Sequence, residues 1–367
     1  MAIVPLALES PRPFEATPGV VVGRPPAGAD TIEVLVDGRM VRRFVLRAGQ
    51  KRFSFGPVGL PARDLALEVR ALRDDRVLAR RVVHHLFGLP RSAWRLRAPR
   101  ATDRGAQRAL ALMRSQPGVV NAVWARNLAS GYAASYNAGA TFPAASTLKL
   151  AILLTAFSRD PVDPLDSAAW PLYRRLVIDS SNAAANGVLV RMGGSTSSGG
   201  AMVNAFARDL GATATDMYGG YLLEADERAV SAAPVPPVTV AEQPSYPRGK
   251  HTTAHDLGQI VSALVQAAAG RGPAHRLSVS GREARTALWL LLHARHPGLL
   301  GPATGLPVAH KVGYLARLQH DAAVVFAPDG PLVVIVMSDG PGGVSYTASR
   351  DWAARVLQLL RRRLSAG

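Results

Sequence analysis

The chain of 367 residues contains no cysteine, which removes thiol nucleophiles, disulfides and every cysteine-based metal site. Aromatic residues make up 6% and charged residues 19% of it, against 48% hydrophobic. Such a chain folds compactly, and it carries no zinc-knuckle, ribonucleoprotein or basic-helix pattern, so no nucleic-acid partner is expected. Acidic residues are few beside basic ones, 26 against 43, leaving a formal charge of +17. The excess favours anionic partners such as a carboxylate- and phosphate-rich cell wall, although a codon bias toward arginine and alanine would produce it without any partner. No apolar run reaches the roughly eighteen residues of a membrane span. The opening "MAIVPLALESPRPFE" lacks a basic n-region and is interrupted by Glu9 and Pro11, so it does not read as a signal peptide. The histidines (His84 and His85, His251 and His255, His310, His320) show no pair with a third ligand at metal spacing, so neither a metal nor a cofactor is expected. "GGSTSSGG" at 193–200 reads as a low-complexity loop with no G-K-[ST] after it to hold phosphate.

What is present falls into two patterns. "TIEVLVDG", "MVRRFVLRAG", "KRFSFGPVG", "LALEVRALRDD" and "RVLARRVVHHLF" are short, β-branched and separated by turn residues, predicting a small all-β sandwich (Ig-like) domain over residues 1–98. From 99 to 367 the pattern is mixed. "TDRGAQRALALMRSQ" predicts a helix, "GVVNAVWARN" and "SGYAASYNAG" a hairpin, and "AAWPLYRRLVIDSSNAAANGVLVRMGG" and "TTAHDLGQIVSALVQAAAG" a helical middle section. Strands return in "VAHKVGYL", "QHDAAVVFAP" and "PLVVIVMSDG", and the amphipathic "SRDWAARVLQLLRRRL" closes the chain. An antiparallel sheet built from both ends of this domain, with flanking helices and a helical insertion, follows.

Lysine is the scarce cation: only four stand among the 43 basic residues. Arginine stays charged in a protein, whereas a buried lysine can become a neutral amine near pH 7. Lys149 lies three residues after Ser146 in "TFPAASTLKLAILLTAF", a spacing that puts both side chains on one helix face. A neutral amine there could take the hydroxyl proton and leave a nucleophile beside helix N-terminal amides. A capping serine with a surface lysine is the bland alternative. Downstream, Ser180 and Asn182 stand one residue apart, and Lys311 with Gly313 sits on a predicted strand, the glycine leaving room for substrate at the strand edge.

Nucleophile, polar pair and K-x-G strand, in this order, resemble the penicillin-recognising serine enzymes, most closely the class A β-lactamase-like family, from about residue 101 onward. The resemblance implies a β-lactamase/transpeptidase-like α/β (α+β) fold and a serine hydrolase acting on β-lactam or peptidoglycan-like amides and esters. It implies Ser146 as acylated nucleophile, Lys149 as proton acceptor and Ser180 as relay to the leaving nitrogen. Asn182 would hold a substrate amide, Lys311 the substrate carboxylate, and Tyr314 with Ser146 would give oxyanion-hole amides. His320 falls near a position where the family places a basic carboxylate ligand. A secreted, periplasmic or cell-wall-associated protein would follow, with a cytoplasmic one as the alternative that the missing signal pattern leaves open.

Three departures qualify it. Ser181 stands where the family has Asp. Val312 replaces a hydroxyl residue, at a cost of typically about 1–3 kcal/mol of substrate binding. The family's deacylating E-x-x-x-N is missing: Tyr221 falls near the Glu position, and the nearest carboxylates, Glu224 and Glu227, read as surface acids. Slow deacylation is therefore expected. A catalytically degenerate cell-wall-binding or scaffolding protein is the competing reading.

Overall fold

A computed structural model describes residues 4–222 and 234–365. Its contacts divide the chain into two compact units, Met1–Trp94 with Phe326–Pro328, and Arg95–Val325 with Asp329–Gly367. Glu224 and Glu227 lie outside the described residues.

The first unit is all β. Its strands are β1 (Val4–Pro5), β2 (Ala7–Ser10), β3 (Ala16–Thr17), β4 (Val21–Arg24), β5 (Thr31–Val36), β6 (Arg39–Val45), β7 (Phe53–Phe55), β8 (Asp64–Arg73) and β9 (Arg76–Gly88). One sheet has the order β1-β9-β8-β5-β6, with β3 also on β9, and the other is β2-β4-β7. The alternation in β8 explains the layering: Leu65, Leu67, Val69 and Ala71 are buried, while Ala66, Glu68 and Arg70 between them are not. Those apolar residues join Ile32 and Val34 of β5, Val21 of β4 and Phe53 of β7 in one core shared by both sheets. Each such aliphatic side chain contributes about 1.5–3 kcal/mol on burial. Asp37–Gly38 makes the β5–β6 turn with both φ angles positive, 47° and 82°, the backbone a two-residue hairpin turn needs.

The second unit is mixed. Its sheet, in the order β11-β10-β16-β15-β14, is formed by β10 (Val120–Asn127), β11 (Ala133–Tyr136), β14 (Val308–Leu315), β15 (Leu318–Ala327) and β16 (Gly330–Asp339), and its hydrogen-bonded pairs with described register are antiparallel. On one face α1 (Arg104–Ala111) and α9 (Tyr346–Leu364) bury Leu110, Trp352, Val356 and Leu360 against Val123, Val325, Val334 and Val336. Asp103 caps α1 by accepting from Ala106 N at 2.7 Å, the helix start that Thr-Asp predicts. Strand β16 is buried along its whole length, as a strand covered on both faces must be.

The helical insertion carries α2 (Lys149–Arg159), α3 (Trp170–Val177), α4 (Asn182–Gly193), α5 (Thr196–Asp209), α6 (Ala254–Ala268), α7 (Pro273–Arg276) and α8 (Gly281–Leu292). Helix α2 buries every residue from Lys149 to Phe157 and forms its centre. The predicted stretch 168–194 is two helices, broken at Ile178–Ser181, where Ser180 has φ 54°. "GGSTSSGG" is not a loop: it closes α4 on left-handed Gly194 and opens α5 with Ser195 as N-cap. Gly199 serves packing, since a Cβ there would lie 2.3 Å from the Leu189 carbonyl oxygen. Two short strands, β12 (Thr141–Pro143) and β13 (His251–Thr253), pair antiparallel with Pro143 opposite His251, which brings Lys250, just before β13, beside the turn that leads into α2.

Candidate active site

Strand β12 delivers the chain into a turn that sets the nucleophile. After Ala144, residues Ala145–Leu148 form one 3-10 turn and α2 begins at Lys149. Ala145 has φ 44°, a left-handed conformation that costs a non-glycine residue about 1–3 kcal/mol and persists where its surroundings fix it. Here they do. Thr147 Oγ1 donates to the Ala144 carbonyl at 2.6 Å, Ala144 N donates to the Lys250 carbonyl at 2.9 Å, and the Tyr221 hydroxyl donates to the Ala145 carbonyl at 3.2 Å. Ser146 consequently stands on the wall of a cleft of about 1050 Å³, with Ser180, Asn182 and Tyr314.

Lys149 lies beneath it, fully buried. Its Nζ is 2.9 Å from Ser146 Oγ and 2.7 Å from Asn182 Oδ1, and it donates to the Ser180 carbonyl oxygen. The last two partners can only accept. A neutral amine has two hydrogens, so with both directed to those oxygens its lone pair is left for the Ser146 hydroxyl proton. Burial lowers the Lys149 pKa to about 7, which makes the neutral form accessible.

The third element is β14. Lys311, 1% exposed, donates from Nζ to Ser180 Oγ at 2.8 Å and to the Val312 carbonyl at 3.1 Å. Burial first and the charge of Lys149 second lower its pKa to about 7. Ser180 Oγ thus accepts from Lys311, lies 3.4 Å from Lys149 Nζ, and keeps its own proton to give toward the cleft. Ser181 caps α4 by accepting from Ala184 N at 3.2 Å, a task serine performs as well as aspartate, so the departure at this position leaves the local fold intact. Asn182 also donates from Nδ2 to the Leu222 carbonyl at 2.9 Å.

Two expectations change. Gly313 does not make room for substrate: a Cβ there would meet Thr147 Cγ2 at 3.0 Å and the Ala144 oxygen at 3.2 Å, so its missing side chain lets β14 approach the nucleophile turn. His320 does not line the cleft. From β15 it pairs with Gly313 of β14 and is buried against Phe142, its Nε2 3.0 Å from the Pro143 carbonyl, with Ser338 N donating to its Nδ1 at 3.3 Å. Burial lowers its pKa to about 4, so it stays neutral and cannot hold a carboxylate by charge. The cations on the cleft wall are Arg175, Arg248, Lys250 and Arg317.

Lys250 is the cleft residue that motif spacing missed. The β12–β13 pairing sets it beside Ala144, and its Nζ donates to the Gly220 carbonyl at 2.8 Å and lies 5.3 Å from the centre of the Tyr221 ring. Three of the four lysines therefore converge here; its only sequence signal was the rarity of lysine. Among the described residues no group of three His, Asp or Glu side chains is placed to hold a metal, and no helix is long and apolar enough to cross a membrane.

Comparison with known proteins agrees with this fold. Residues 105–168 and 163–364 match the family described as the β-lactamase enzyme family. No curated protein matches. Among solved structures, PBP-A is 20% identical with a TM-score of 0.55, covering 73% of this chain and 98% of its own. A mutant of PBP-A, solved as an acyl-enzyme complex with penicillin G, is 21% identical with a TM-score of 0.54, covering 72% and 100%. A β-lactamase from Sphaerobacter thermophilus is 16% identical with a TM-score of 0.53, covering 72% and 98%. At these identities the likeness is one of fold.

Proposed function

This chain belongs to the β-lactamase enzyme family, as a class A β-lactamase-like serine hydrolase, and from that footing we propose that it acts through a long-lived acyl-enzyme on Ser146. The carrying observation is the Lys149 amine, fully buried, 2.9 Å from Ser146 Oγ and bonded otherwise to two oxygens that can only accept. The Ser146 proton passes to Lys149 Nζ as Oγ bonds the substrate carbonyl carbon, and the charge on the carbonyl oxygen meets amides at Ser146 and Tyr314. The carbon–nitrogen bond then breaks, Ser180 Oγ giving its proton to the leaving nitrogen and being reprotonated by the amines that contact it. Lys311 holds a positive charge behind Ser180 for the substrate carboxylate, and Asn182 presents its amide to the acyl side chain.

The substrate class is a β-lactam or a peptidoglycan-like amide or ester, which sets its work at the cell wall, in a secreted or periplasmic setting. Release by water is the slow step, because Tyr221 occupies the side of Lys149 where a deacylating carboxylate would serve. Intact-protein mass spectrometry after incubation with penicillin G, and separately with a small activated ester, tests this on the parent and on Ser146→Ala. A stable adduct on the parent and none on the variant is expected. No adduct and no turnover with either probe would favour a binding protein that keeps the fold without the chemistry.

A further inference from the structure

Tyr221 is a buried side chain of the cleft, held at its backbone and at its hydroxyl. It is 8% exposed, and its backbone is fixed twice by one amide: Tyr221 N donates to Asn186 Oδ1 at 2.7 Å, and Asn186 Nδ2 donates to the Tyr221 carbonyl at 2.9 Å. Lys250 pins the preceding residues through the Gly220 carbonyl at 2.8 Å and the Tyr218 carbonyl at 3.4 Å. The phenol end is anchored on the Ala145 carbonyl, one residue before the nucleophile. A side chain fixed at both ends does not swing aside.

The ring centre lies 4.6 Å from Lys149 Nζ. That nitrogen already faces Ser146 Oγ, Ser180 O and Asn182 Oδ1, so its three hydrogen-bonding directions are filled, and the ring covers it besides. The described residues therefore leave Lys149 no hydrogen-bonding direction to offer a water molecule, which needs two to four polar partners. The phenol does not replace the missing base, since burial raises its pKa and keeps it protonated. The acyl ester on Ser146 thus has an aromatic wall on the side of Lys149, the base that contacts Ser146 Oγ.

We propose that Tyr221 seals this site, its ring excluding water from Lys149 and from the Ser146 ester and so prolonging the acyl-enzyme. Tyr221 is a positioning residue by this assignment, and its effect falls on the release step. The assignment rests on the acyl-enzyme reading above. It predicts that space, rather than the hydroxyl, controls the lifetime.

The test forms the penicillin G adduct on the parent, Tyr221→Phe, Tyr221→Leu and Tyr221→Ala, removes excess drug, and follows the adduct mass with time. Parent and Phe adducts should persist equally, the Ala adduct should decay at least about tenfold faster as water enters the vacated space, and Leu should fall between. Added sodium formate, a small carboxylate base for that space, should speed decay of the Ala adduct alone. The pH midpoint of acylation should also rise in Tyr221→Ala, because water then reaches Lys149. An Ala adduct as durable as the parent's, or a Phe adduct as short-lived as Ala's, overturns the seal while leaving the acyl-enzyme in place. A parent that never acylates overturns both, and if Ala folds poorly the Phe and Leu lifetimes still decide.

Discussion

The two units of this chain use positive charge in opposite ways. In the first, Arg63 meets Asp37 at 2.7 Å and Arg43 bonds Asp75 at the surface, with Glu33 near Arg43, and Arg70 meets Glu68 at 2.8 Å where the pair is partly buried. Hydrogen bonds to those carboxylates raise the pKa values of Arg43 and Arg70, fixing charges that were permanent already. In the second unit Lys149 and Lys311 are buried beneath a cleft, and burial brings both pKa values down to about 7. The lesson concerns solvent more than sign. A solvated guanidinium gives solubility, and a desolvated amine gives a base.

The comparison breaks most visibly if the two cations are exchanged at Lys149. Lys149→Arg keeps the charge and forbids its loss, so acylation by penicillin G should fall by about 10²–10⁴-fold, the range of a lost general base. A surface lysine would tolerate the change. In the parent, acylation should drop about tenfold per pH unit below 7, since only the neutral amine accepts the Ser146 proton. Above 7 Lys311 loses the charge that holds a carboxylate, and the profile should turn down again. The two apparent midpoints belong to the pair, because Lys149 is among the causes of the Lys311 shift. Stopped-flow acylation rates across pH 5–9 read both limbs.

How much of this was legible in the sequence follows the range of the interactions. The strands β5 to β9 and the sheet of the second unit were readable because alternation and turn residues are local signals. Ser146, Lys149, Ser180, Asn182 and Lys311 could be picked out because a rare residue type recurred in a particular order, and the structure brings these five together. Lys250 could not. It meets the site only through the pairing of β12 with β13, about a hundred residues apart in the chain. His320 failed for the converse reason: adjacency to the K-x-G strand is visible in sequence, whereas its burial under Phe142 is decided by packing. Gly313 was noticed correctly and explained wrongly, since what fills its missing side chain is the chain's own turn at Ala144–Thr147.

A smaller effect separates the units in stability. Lys149 and Lys311 titrate near 7 when folded and near 10.5 when unfolded. Between those values the unfolded chain keeps protons that the folded chain has released, so stability rises with pH across the window and is flat below it for these groups. Each amine contributes up to about 1.4 kcal/mol per pH unit there. Denaturation midpoints at pH 7.5 and 9.5 should climb in the parent and climb less in Lys311→Met. An equal climb in both would mean that Lys311 is charged within the fold. The upper limit at 9.5 keeps clear of tyrosine ionisation, where Tyr173, raised to about 12 by burial, acts in the opposite sense.

The smallest effect is expected where the first unit's charges are exchanged. Arg43→Lys alters a cation that is half exposed and lies beside an exposed Asp75. Water and salt screen such a pair, and the two long side chains lose conformational freedom to hold it, so its net contribution is slight. The melting midpoint, the acylation rate and the pH dependence of both should stay at parent values, in low salt and in high. The same arginine-for-lysine exchange, run in reverse, is thus silent on a solvated surface and disabling in a dry cleft, and a measurable change in acylation at Arg43→Lys would show that charge at the surface, rather than desolvation at Lys149, tunes the site.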